Sequence, residues 1–141
     1  MPRKKRILIV DDEPGVLALL RTILKKEKFE VLESLSADDA LELLEHETVD
    51  LVISDIKMPG MSGIEFLDEV REWDMDLPVL FVSGKGTDRD WSKVMQSSAS
   101  GVIEKPFKRE TLMKAIHQAL SNGSAPAANH KSIQDSEFLE I

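Results

Sequence analysis

No cysteine occurs among the 141 residues, which rules out a disulfide frame, a thiol nucleophile and any thiolate metal site. Histidine is almost as scarce, and His46, His117 and His130 are too scattered to suggest a zinc cluster. Long apolar runs are missing as well. No stretch approaches the roughly eighteen apolar residues of a membrane-spanning helix, and the start lacks the apolar segment of a signal peptide, so the expected location is the cytoplasm. Positive charge is short outside the ends. Arg3, Lys4, Lys5 and Arg6 supply +4 and the segment beyond residue 120 supplies −2, so that a total of −8 leaves −10 on residues 7–120. A body of that sign repels nucleic acid, and four basic residues just before a strand read as a solvated start.

What is present is ordinary for one globular domain. Hydrophobic residues make up 42% and charged residues 31%, and a chain of this length buries roughly two-thirds of its unfolded surface. Ile7-Leu8-Ile9-Val10 and Leu51-Val52-Ile53 are short, uninterrupted apolar runs, as is Val79-Leu80-Phe81-Val82 behind Pro78. Such runs read as strands buried on both faces. Phe29-Glu30-Val31-Leu32-Glu33 alternates loosely, as a strand at a sheet edge does, and Val102-Ile103 is very short.

Helical patterns fall between the strands. Val16, Leu17, Leu20, Ile23 and Leu24 form one stripe, with Asp12 placed to cap it and Pro14 in its first turn. Ser36-Ala37-Asp38-Asp39 resembles a capping box ahead of Ala40, Leu41 and Leu44. Ser62-Gly63-Ile64-Glu65 is a second one, opening a helix expected to bury Ile64, Leu67 and Val70. A fourth helix over 88–98 has only a thin stripe of Trp91, Val94 and Met95, which predicts comparative mobility. The fifth carries Leu112, Ala115, Ile116, Ala119 and Leu120.

Five strands alternating with five helices predict an α/β fold: a doubly wound parallel sheet with right-handed crossovers and helices on both faces. Placing the three fully apolar strands centrally and the wetter or shorter ones at the edges gives the order 2-1-3-4-5, which is flavodoxin-like. From Ser121 the sequence turns to Ser, Asn, Gly, Ala and Pro, so residues 1–121 are expected to form the domain and 122–141 a flexible tail, with room for an output domain beyond it.

In such a sheet ligands bind beyond the carboxyl ends of the strands, at the switch point between the first and third. Asp11 and Asp12 end the first, and Asp55 ends the third before Lys57-Met58-Pro59-Gly60. Three converging carboxylates repel one another and invite a hard divalent cation, for which magnesium is the natural choice; because magnesium binds through a few carboxylates plus phosphate oxygens, phosphoryl chemistry follows. Ser83 ends the fourth strand and Lys105, ahead of Pro106, follows the fifth. A hydroxyl and an ammonium suit two further phosphoryl oxygens. Each piece alone has a plainer explanation, namely cap, loop or helix start. Ser83-Gly84-Lys85-Gly86-Thr87 is not a phosphate loop, since Val79 stands where the first glycine belongs and Gly86 where Ser or Thr should follow the lysine.

Val10-Asp11-Asp12-Glu13, the stretch from Asp55 through Met58-Pro59-Gly60 to Ser62-Gly63, Ser83-Gly84 and Lys105-Pro106-Phe107 together resemble the receiver domain of two-component response regulators, over about residues 6–121. The resemblance implies that Asp55 accepts a phosphoryl group from a histidine kinase or phosphotransfer protein. It implies that Asp11, Asp12, Asp55 and the Lys57 backbone carbonyl hold Mg2+, that Ser83 and Lys105 bind the phosphoryl group, and that the Lys105-Pro106 bond is cis. By the same resemblance the chain is a regulatory phosphoacceptor rather than an enzyme. Its output would leave through the face of the fourth helix, fifth strand and fifth helix, with phosphorylation-dependent homodimerisation among the outcomes. An aromatic residue commonly lies three positions before the lysine in that family, and Val102 holds that place here. Two other classes compete: a haloacid-dehalogenase-like phosphohydrolase, whose Asp-x-Asp Asp11-Asp12-Glu13 does not supply, and a receiver-like scaffold that is never phosphorylated.

Overall fold

The computed structural model describes residues 4–84, 94 and 97–121. Its elements are β1 (Arg6–Val10), α1 (Pro14–Lys26), β2 (Glu30–Ser34), α2 (Ala37–His46), β3 (Leu51–Ser54), α3 (Gly63–Trp73), β4 (Val79–Ser83), β5 (Gly101–Glu104) and α4 (Arg109–Ser121). All strand pairs are parallel, and the order is β2-β1-β3-β4-β5. The expected fold class is therefore the observed one. Four helices stand among the described residues; the helix expected over 88–98 lies outside them, apart from a buried helical Val94.

Alternation along each strand divides the core into two layers. Leu8, Val10, Val52, Val79, Phe81 and Val102 face α2 and α3, while Ile7, Ile9, Leu51, Ile53, Leu80, Val82 and Ile103 face α1 and α4. Every residue of β3 and β4 is buried, whereas β2 carries an exposed Glu30 and only half-buried Val31, Leu32 and Glu33. Continuous apolarity thus marks strands covered on both sides, and mixed polarity marks the edge.

Two local expectations need correction. The N-cap of α1 is Glu13, without a side-chain cap, and not Asp12; Pro14 does sit in the first turn. The reason is that Asp11 Oδ1 accepts the Glu13 N–H at 2.9 Å, so the carboxylate before Asp12 satisfies the free amide. In α3 the buried face is Gly63, Phe66, Leu67 and Val70, with Ile64 only half-buried. The capping box is present as expected: Ser62 Oγ accepts the Glu65 N–H at 3.2 Å and Glu65 Oε1 accepts the Ser62 N–H at 2.9 Å. Ser36 caps α2 by accepting the Asp39 N–H at 3.1 Å.

Candidate metal and phosphoryl site

Parallel pairing of β1 with β3 in the register Val10↔Ser54 brings the residues that follow them side by side. Asp55 continues the ladder by one bond, donating its N–H to the Val10 carbonyl at 3.0 Å, before the chain turns away. Asp11 does the same on the other side, donating to the Ser34 carbonyl at 3.1 Å. The result is that one carboxylate oxygen from each of Asp11, Asp12 and Asp55 lies within 4.8 Å of the others. Asp11 and Asp55 are buried at 2% and 8% exposure, and Asp12 is the more open of the three.

The ammonium of Lys105 faces this cluster. Lys105 Nζ stands 3.1 Å from Asp11 Oδ2, 3.7 Å from Asp55 Oδ2 and 3.9 Å from Glu13 Oε1. It is brought there by β5, whose end is tied to β4 through the Lys105 N–H on the Ser83 carbonyl at 2.6 Å, and it is followed by a cis peptide to Pro106. Ser83, buried at 3% exposure, ends the strand beside β3. Lys57 has an exposed side chain. Ile56 and Met58 plug the loop after Asp55 into the core under α2 and α3, and Gly60, at φ +79°, makes a left-handed turn that a side chain would strain.

Electrostatics follow from this burial. Desolvation is the largest influence on Asp55 and pushes its pKa above the usual carboxylate value; Lys105 pulls it back, Asp11 adds to the rise, and the amides of Ile56 and Lys57 lower it. The Ile56 N–H reaches Asp55 Oδ1 at 2.7 Å. Three carboxylates facing the Lys105 ammonium, all oxygen donors and two of them buried, fit a small hard cation better than any soft metal.

The structure therefore brings together Asp11, Asp12, Asp55 and Lys105, and sets Ser83 on the adjacent strand end. Sequence reasoning missed two residues beneath the site. Ser54 Oγ donates to the Asp55 carbonyl at 2.8 Å, and Gly63 packs against that same carbonyl. The one signal was a hydroxyl closing an otherwise apolar strand.

Residues 7–117 match the family model of the response regulator receiver domain. The chemotaxis protein CheY of Halobacterium salinarum is 35% identical over 118 residues, covering 83% of this chain and 98% of that protein. The transcriptional regulatory protein GlrR of Escherichia coli is 34% identical over 125 residues, but the chain spans only 28% of its length. A CheY-like receiver domain protein from Methanospirillum hungatei superposes with a TM-score of 0.80 at 30% identity, over 85% of this chain and 96% of that one. The signal receiver domain of an HD domain-containing protein from Pseudomonas fluorescens gives 0.81 at 26% identity, over 86% and 98%.

Proposed function

Because the chain belongs to the response regulator receiver domain family, we propose that Asp55 is the residue on which its phosphorylation switch turns. The observation that carries this reading is the convergence of Asp11, Asp12 and Asp55 within 4.8 Å against the ammonium of Lys105. The donor is a phosphohistidine of a sensor kinase or phosphotransfer protein. An Asp55 carboxylate oxygen forms the new P–O bond as the P–N bond breaks, and the imidazole nitrogen keeps the bonding pair and then takes a proton.

Asp11, Asp12 and Asp55, with the Lys57 carbonyl, would hold Mg2+, which when bound offsets the charge of the incoming phosphoryl oxygens. Lys105 meets one of those oxygens as a positive charge that is already in place, and Ser83 offers a hydroxyl to another. Burial of Asp55 serves the same end: a partly desolvated carboxylate is a stronger nucleophile toward phosphorus than a fully hydrated one. Val102, at 1% exposure, is paired in register with Phe81 inside the core layer and has no polar tip, so switching here proceeds without an aromatic gate.

In this reading the domain promotes only its own phosphorylation and dephosphorylation, works in the cytoplasm beside the kinase, and binds neither nucleic acid nor membrane through this segment. No described helix is long and apolar enough to cross a membrane. Residues 1–121 form the receiver. The segment 122–141 acts as a tail or as a linker toward an output domain. Output, phosphorylation-dependent homodimerisation included, leaves through β5, α4 and the stretch 88–98, most of which lies outside the described residues.

Incubation with acetyl phosphate and Mg2+, followed by intact mass, tests the proposal. A gain of one phosphoryl group is expected. Catalytic turnover of the donor without an adduct would mean a phosphohydrolase, and no change at all would mean a scaffold.

A further inference from the structure

The nucleophile's own backbone is held at its carbonyl by two contacts. Ser54, the last residue of β3 and 0% exposed, donates its hydroxyl to the Asp55 carbonyl at 2.8 Å. Its register partners are Val10 and Phe81, so it stands in the core layer under α3, where a free hydroxyl would be costly. On the same face α3 begins at Gly63, whose N–H donates to the Ile56 carbonyl at 2.7 Å. A Cβ on Gly63 would stand 2.2 Å from the Asp55 carbonyl oxygen, 2.9 Å from Ile56 Cα and 3.0 Å from the Phe81 ring. The first two are backbone atoms, which cannot swing aside as a side chain does.

We propose that Ser54 and Gly63 are positioning residues for phosphoryl transfer, which fix the Asp55 peptide and so set its carboxylate against Asp11 and Asp12. This rests on Asp55 being the phosphoacceptor. Non-bonded heavy atoms settle at about 3.5 Å or more, so a methyl on Gly63 must part α3 from the Asp55-Ile56 backbone by roughly 1 Å. The helix is not free to take up all of that movement. Phe66, Leu67 and Val70 anchor it in the core, and the capping box fixes its first turn. Part of the shift therefore falls on Asp55, and a misplacement of about 1 Å at a reacting group costs on the order of a hundredfold in rate. Loss of the Ser54 hydroxyl removes one hydrogen bond from the same carbonyl and should cost about fivefold.

The test uses the full chain as wild type, Gly63→Ala, Ser54→Ala, Ser54→Thr and Gly15→Ala. A Cβ at Gly15 meets nothing within 4 Å, which makes it the matched control for adding one methyl. Two quantities are read: the rate of labelling by acetyl phosphate at saturating Mg2+, and, without donor, the Mg2+ midpoint of thermal stabilisation. Gly63→Ala should label about a hundredfold more slowly and need more Mg2+. Ser54→Ala should show the same pattern at about fivefold, Ser54→Thr should recover, and Gly15→Ala should match wild type. Wild-type rates and midpoints in both Gly63→Ala and Ser54→Ala would overturn the inference. If Gly63→Ala does not fold, the Ser54 pair decides it. If wild type takes no label, the phosphoacceptor reading is what fails, and unchanged Mg2+ midpoints would separately overturn the positioning role.

Discussion

Lys105→Met removes a cation within reach of two buried carboxylates while keeping an aliphatic side chain of similar length. The ammonium lies 3.1 Å from Asp11 and 3.7 Å from Asp55, whose side chains are 3% and 10% exposed; the Glu13 contact, at 3.9 Å and 66% exposed, is screened by water and counts for little. Taking one partner from a buried pair costs about 3–5 kcal/mol, and since Lys105 is itself 19% exposed the lower end applies, about 3 kcal/mol. For a domain of this size that is a fall in Tm of roughly 10 °C in metal-free buffer at pH 7. The deficit should depend on pH with a definite sign. Asp55 already has a raised folded pKa, and losing Lys105, which pulls it down, raises it further. A raised carboxylate pKa means that the folded state binds more protons, so this group's contribution to stability falls as pH climbs from the unfolded value through the folded one. The variant should therefore regain ground on wild type as pH is lowered through the carboxylate range. Mg2+ should stabilise it more than it stabilises wild type, by replacing the missing charge. Melting curves with EDTA or Mg2+ at several pH values provide the assay. A variant that melts with wild type at pH 7 without metal, or that falls further behind in acid, would refute this electrostatic reasoning.

Mg2+ should also stabilise the wild type. A ligand at a hundred times its Kd adds about 2.7 kcal/mol, so melting should rise by several degrees in millimolar Mg2+ relative to sodium of matched ionic strength, and Asp12→Asn should blunt that rise. Identical melts with and without Mg2+ would argue against the metal site. A phosphate mimic should change amide exchange most over residues 83–98 and less over 102–108, because the buried Ser83 hydroxyl gains a charge-assisted bond only by moving toward Asp55. Ser83→Ala should weaken that response and still permit labelling; a response centred on residues 36–46 would contradict this route.

Much of this molecule is legible in one sequence because its strands carry their own addresses. Leu51-Val52-Ile53 needs cover on both faces and so is central, while the glutamates of β2 need water and place it at an edge. Once the order is fixed, Asp11, Asp12, Asp55, Ser83 and Lys105 fall at one end of the sheet by topology alone. Misreadings arise where contacts depend on atoms the periodic pattern does not see. Asp12 is spared from capping because the Asp11 side chain reaches the Glu13 amide first. The buried face of α3 is set by Gly63, whose close approach to Asp55 puts positions three, four and seven onward inside and leaves Ile64 at the margin. Neither Ser54 nor Gly63 could be assigned from spacing, since each acts on a backbone carbonyl whose direction is decided by the turn between them.

The most direct test of the phosphorylation switch is intact mass after acetyl phosphate and Mg2+ for wild type beside Asp55→Asn, with folding checked by melting. Asn removes the nucleophile and one member of a repelling trio, so the variant should stay folded and its metal-free melt at neutral pH should be no lower than wild type. Wild type should gain one phosphoryl group and Asp55→Asn none; equal labelling of the two would contradict the account.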